Sequence, residues 1–152
     1  LKYVYPALRH ADYRVEYTIR QYSDVEEIKH ILATAPQKLS LNELYLVANS
    51  YESGSKEFDD VFEVAVRMYP NDKIANLNAA NSAMHKRDLE SAKEYLKRAG
   101  DSAEAVYARG AYAAMIEDYD TARKLFKQAE SKGLAQATAA LAELEVFINK
   151  QK

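Results

Sequence analysis

Asp88-Leu89-Glu90-Ser91-Ala92-Lys93-Glu94-Tyr95-Leu96-Lys97-Arg98-Ala99 and Asp118-Tyr119-Asp120-Thr121-Ala122-Arg123-Lys124-Leu125-Phe126-Lys127-Gln128-Ala129 are two copies of one pattern, thirty residues apart. Asp, Ala, Lys and the closing Ala recur in register, and the apolar pairs between them match in kind. The same offset relates Ala75 to Ala105 and Ala83 to Ala113. A fixed period of this size marks a stacked helical solenoid, in which each unit buries its apolar face against the next. Such folds rarely do chemistry, so the pattern points to a binding or scaffolding module. The repeat does not say what is bound.

Working outward, each copy is the second helix of a hairpin. Lys73 to His85 pairs with Leu89 to Ala99, and Ala103 to Ile116 pairs with Tyr119 to Ser131. Asp88 and Asp118 are placed to cap those second helices. Gly133 suits the left-handed angle at a helix end. A last helix, about Ala135 to Asn149, offers Ala139, Leu141, Ala142, Leu144 and Phe147 and is expected to close the core. Earlier, Ser23-Asp24-Val25-Glu26 and Ser40-Leu41-Asn42-Glu43 read as capping boxes. The first opens a helix that must stop before Pro36. The second opens one carrying Leu44, Val47, Ala48 and Tyr51 on a single face. Gly54-Ser55 breaks the chain. Lys56 then begins a helix with Phe58, Val61, Phe62, Ala65 and Met68 inward, ending before Pro70, and Pro70-Asn71-Asp72 gives a turn and a cap.

The first 22 residues read differently. Five of the twelve tyrosines fall at positions 3 to 22, and there is no tryptophan. Tyr13, Val15, Tyr17 and Ile19 alternate with Arg14, Glu16, Thr18 and Arg20, the period of a half-buried strand. Its open edge would serve either assembly by strand pairing, including a homodimer, or packing on an upstream domain. The opening Leu1-Lys2-Tyr3-Val4-Tyr5-Pro6 shows neither an initiator Met nor a signal peptide, and the expectation is a piece of a longer chain.

Apolar residues make up 48% of the 152 and charged residues 29%, an ordinary globular balance. Net charge is −2 and no face is obviously basic, which argues against nucleic-acid binding. There is no cysteine, so neither a disulfide framework nor a thiolate site is available. No apolar run approaches a membrane span.

The hairpins resemble tetratricopeptide repeats. In that family a small residue of the first helix faces a small residue of the second; Ala80 with Ala92, and Gly110 with Ala122, stand in those places. Leu96 and Phe126 stand at the bulky second-helix position, and Ala99 and Ala129 at the small one a turn later. Ala83 and Ala113 depart from the usual large aromatic. An earlier unit, Leu44 to Pro70, fits more loosely, so the likeness covers Leu41 to Ser131. The family repeat is about 34 residues, about one helical turn longer than the offset here, so a shortened helix end or connection is expected near Gly100. A second likeness is to an envelope protein family of Bacteroides-type bacteria. It is carried by Tyr5-Pro6-x-Leu8-Arg9 and Tyr13-Arg14-Val15-Glu16-Tyr17-Thr18-Ile19-Arg20 followed by such helices. In that family an OmpA-like domain comes first. The likeness implies a periplasmic or outer-membrane-associated setting. The peptidoglycan-holding residues would lie upstream of Leu1, so none is assigned here.

The expected fold is therefore all-α: a tetratricopeptide-like α-solenoid of about three hairpins plus a capping helix, preceded by a β-strand segment, with residues 1–22 as the end of an upstream domain and 23–152 as the helical domain. The first resemblance implies a groove on the concave face. Its residues would be Asn42, Tyr45, Asn49 and Glu52, then Leu77, Asn81, Met84 and His85, then Tyr107, Ala111 and Met115. Asparagine carries donors and acceptors that can hold a peptide backbone, and tyrosine supplies contact area at little entropic cost. The implied partner is a protein segment. The other role open to the chain is a structural brace or a self-association element acting through the strand.

Catalysis is not expected. His10, His30 and His85 lack any paired spacing for a metal. Ser53-Gly54-Ser55-Lys56 is a turn with Ser55 as a helix cap rather than a nucleophile with its base. Asp88, Asp118, Asp120, Glu26 and Glu27 sit at helix starts, where a carboxylate suits the dipole. No cofactor or metal site is expected.

Overall fold

Helix starts are set by short polar side chains that satisfy the first free N–H groups. The structure, a computed structural model, describes residues 21–150. These form eight α-helices: α1 Val25–Thr34, α2 Leu41–Ala48, α3 Lys56–Met68, α4 Lys73–His85, α5 Leu89–Leu96, α6 Ala103–Met115, α7 Tyr119–Ser131 and α8 Ala135–Lys150, with a 3-10 turn at Pro36–Lys38. Asp24, Ser40, Ser55, Asp72, Asp88, Ser102 and Asp118 cap α1 to α7 in order, each accepting from a backbone N–H of the first turn. At the first start Asp24, not Ser23, is the cap. At the second the full box forms, with the Ser40 N–H donating to Glu43 at 2.7 Å.

The expectation of a β-strand ahead of the helices is corrected. Among the described residues all regular structure is helical and no strand is present. Tyr13, Val15, Tyr17 and Ile19, and the homodimer pairing assigned to them, lie outside the described residues.

The hairpin turns repeat atom for atom. After α4, Arg87 adopts φ 61°, its N–H donates to the Met84 carbonyl, and the Asp88 N–H donates to the Ala83 carbonyl at 2.9 Å. After α6, Glu117 adopts φ 64°, and Asp118 donates to Ala113 at the same 2.9 Å. Both are Schellman ends whose last residue doubles as the cap of the next helix. Gly133 at φ 91° makes a third, with Leu134 donating to Ala129. Only this third turn uses glycine, which tolerates such angles freely.

Each helix packs on its successor, and α4 also packs on α6. Ala92 and Ala122 are both fully buried, at 0% exposure, so each second helix seats its small residue against the first. Each core is closed by the following unit. Ala108 of α6 joins Ala80, Ala83, Met84, Ala92 and Leu96. Leu144 of α8 joins Ala113, Ala122 and Phe126. This nearest-neighbour closure is the physical content of a solenoid.

The two hairpins trade volume between equivalent positions. The first puts Ala80 and Leu96 in one cluster. The second has Gly110 and Phe126, and a Cβ on Gly110 would lie 2.7 Å from two atoms of the Phe126 ring.

The two second helices differ in length, and the shorter one ends ahead of Gly100. α5 has 8 residues against 13 in its counterpart α7. Cutting a helix short strands its last carbonyls. Arg109 of α6 answers them, donating to the Leu96 carbonyl at 3.2 Å and to that of Gly100. Lys132 adds a bond to the Asp101 carbonyl at 2.9 Å.

α8 differs from the sequence reading in register. Its inward residues are Ala137, Ala140, Leu141, Leu144 and Ile148, the spacing of one helix face. Ala139 and Ala142 are exposed, and Phe147 is 45% exposed with its ring edge-on to Tyr119. Alanine fits either face, so an alanine-rich helix leaves its register open in sequence. Arg123 fixes it instead, through a two-pronged contact with Glu145.

Candidate binding groove

A cavity of about 470 Å³ runs between α4 and α6, bounded by the start of α3 and by Gln136 of α8. Two helix stripes line it. Asn78, Asn81, Ser82 and His85 come from α4; Glu104, Tyr107, Ala108, Ala111 and Met115 come from α6. Three- and four-residue spacing puts each set on one face. The stripes are related by the same thirty-residue offset: Asn78 with Ala108, Asn81 with Ala111, His85 with Met115. Phe58 and Asp59 of α3 and the Ser53-Gly54 turn close one end.

Of the residues singled out from sequence, Asn81, Met84, His85, Tyr107, Ala111 and Met115 are brought together on this cavity. Leu77 is half-buried against the α4–α5 core and borders a separate recess with Lys73 and Ile74. Asn42, Asn49 and Glu52 are exposed and lie off the cavity.

Tyr45 is committed elsewhere. Its hydroxyl donates to Asp72, whose carboxylate also accepts from the Ala75 N–H at 2.8 Å. Burial, with this neighbouring carboxylate, pushes the phenol well above its ordinary range. Tyr45 thus holds the cap of α4 and belongs to the scaffold behind the groove. Tyr45→Phe is expected to cost about 1 kcal/mol, read as a lower urea midpoint, with no change at the groove. Asn76, fully buried, works beside it, donating to the Pro70 and Asp72 carbonyls at 2.9 and 2.7 Å.

Asn78 lines the cavity while its Nδ2 donates to the neighbouring Ile74 carbonyl at 3.0 Å. Ser82, Glu104 and Ala108 were missed in the sequence, as were Phe58 and Asp59 as parts of the lining. Helical spacing would have added Asn78 and Ala108, which stand three residues before Asn81 and Ala111. Nothing in the sequence marks Phe58 and Asp59, whose place depends on how α3 crosses α4.

The lining is electrostatically one-sided. It holds two carboxylates, Asp59 and Glu104, with one histidine and neither lysine nor arginine. The Glu104 carboxylate is held below its ordinary range by its own backbone N–H and by the Ser102 hydroxyl. Asp59 is 8% exposed and forms no ion pair among the described residues. Ser82 is 3% exposed, and its hydroxyl has no hydrogen-bond partner.

No protein-family model matches the chain, and none of the curated proteins matches it. Among the described residues no helix is long and apolar enough to cross a membrane.

Proposed function

We propose that this chain is a non-catalytic interaction module that holds an extended segment of a partner protein along the α4–α6 groove. The observation that carries this is the lining itself. The amide of Asn81, and that of Asn78, which also donates to the Ile74 carbonyl at 3.0 Å, stand beside the apolar surface of Met84, Tyr107, Ala111 and Met115 in one open channel. Amides can pair with a peptide backbone while the apolar surface receives side chains. The tetratricopeptide likeness of the hairpins supports the same reading, since first helices line the inner face of such stacks. The likeness of residues 5–20 to the Bacteroides-type envelope family supports a periplasmic or outer-membrane-associated setting.

The test is a selection of displayed random peptides on the whole chain, followed by titration of the winners into labelled protein. Winners are expected to shift the amides of Asn78, Asn81 and Ala111 and to bind at least tenfold more weakly to Asn78→Ala/Asn81→Ala. Both substitutions favour helix, so the double variant should melt no lower than the parent. Winners that keep their affinity for the double variant, or that map to α5 and α7, would refute the reading.

A further inference from the structure

We infer that the segment held in this groove is basic, and that it presents a lysine or arginine side chain to Asp59. This deepens the function proposed above and rests on it. Burying a carboxylate without a counter-charge is costly, and it is tolerated where a partner supplies the charge. Asp59 is nine-tenths buried, lines the cavity and forms no direct ion pair among the described residues. Lys86, which feels the Asp59 charge, is bonded instead to Glu63 at 2.7 Å.

The surroundings suit a long cationic side chain. Phe58 and Tyr107 contribute aromatic carbon to the lining, and aromatic rings attract cations. Met84 and Met115 offer apolar surface for a methylene stem, which such side chains bury readily. Glu104 adds a second negative charge, so an acidic segment is repelled from the channel.

Three acetylated seven-residue peptides of glycine, serine and leucine, identical except for lysine, glutamine or glutamate at the centre, provide the test. Each is titrated into labelled full chain and followed by amide shifts at Asn81, Ser82, Tyr107 and Ala111. The lysine peptide is expected to bind at least tenfold more tightly than the glutamine peptide, and the glutamate peptide most weakly. Asp59→Asn, shown by its melting curve to be folded, should bring the lysine peptide down to the glutamine level. Raising salt from 0.05 to about 0.5 M should weaken only the lysine peptide. Equal binding of lysine and glutamine peptides, or full lysine affinity in Asp59→Asn, overturns this inference and leaves the groove reading standing. Absence of saturable shifts with all three also overturns it, and the groove reading is then decided by the peptide selection alone.

Discussion

Gly110→Ala is expected to lower stability by about 2 kcal/mol, although alanine is the better helix former by about 1 kcal/mol. Helix α6 passes so close to α7 that a Cβ would meet the Phe126 ring at 2.7 Å and the Leu125 Cβ at 3.4 Å. The ring cannot swing away. Phe126 is 4% exposed, and its ring also packs on Tyr107 at a centroid distance of 5.4 Å. The helices must therefore part, and loosened contact spreads along α6 and α7. The melting temperature should fall by roughly 3–5 °C per kcal/mol for a domain of this size. Hydrogen exchange should quicken in α6, α7 and α8 before it does in α2 and α3, because a solenoid transmits damage to its neighbours first. Unchanged stability would mean that α6 and α7 are further apart than described.

Glu43→Gln is expected to cost about 2 kcal/mol near neutral pH, since hydrogen bonds to a charged acceptor are the stronger ones. The buried Glu43 carboxylate accepts from the Tyr22 N–H at 2.6 Å and from both the N–H and the hydroxyl of Ser40 at 2.7 Å. Burial pushes its pKa up, but these donors outweigh burial and hold it below the ordinary glutamate value of 4.5. The folded form therefore keeps the proton off to lower pH than the unfolded chain does. The resulting stability is fully present above pH 4.5 and is lost as pH falls through the lowered folded value. Asp88, Asp118, Glu94 and Glu104 are lowered too and remain in both proteins, so the quantity to follow is the difference between parent and variant. That gap should narrow steadily on acidification from pH 6 to 3. A gap independent of pH would remove Glu43 as the titrating group.

Much of this architecture was legible because it is built from local signals. The caps at Ser40, Ser55, Asp72, Asp88 and Asp118 and the stop before Pro70 depend on a few adjacent atoms, and sequence reports them directly. The thirty-residue offset predicted equivalent burial of Ala92 and Ala122, which the structure shows. What stayed hidden depends on distance or on a rare backbone state. Arg87 and Glu117 take left-handed angles at the hairpin ends although neither residue type advertises them. Nothing local to Arg109 shows that it serves the carbonyls at the end of α5. The register of α8 is ambiguous in an alanine-rich helix and is settled by Leu144 and the Arg123–Glu145 contact.

The groove was legible in part. Asn81, His85, Tyr107 and Ala111 were named through the tetratricopeptide resemblance, and all four line the cavity between α4 and α6. Tyr45 also occupied a groove position by pattern, but the pattern could not show that its hydroxyl is bound to Asp72. Asp59 was invisible because its burial comes from α3 crossing α4.

The account turns on the two carboxy-terminal hairpins being one packed unit with its volume differently divided, Ala80 with Leu96 in one and Gly110 with Phe126 in the other. A double-mutant cycle measures this directly. Gly110→Ala alone should lose about 2 kcal/mol and Phe126→Leu alone about 1 kcal/mol. The pair together installs the first hairpin's residues in the second and should recover at least about 1 kcal/mol relative to the sum. Losses that simply add to within about 0.5 kcal/mol would contradict it, for the two positions would then share no common seam.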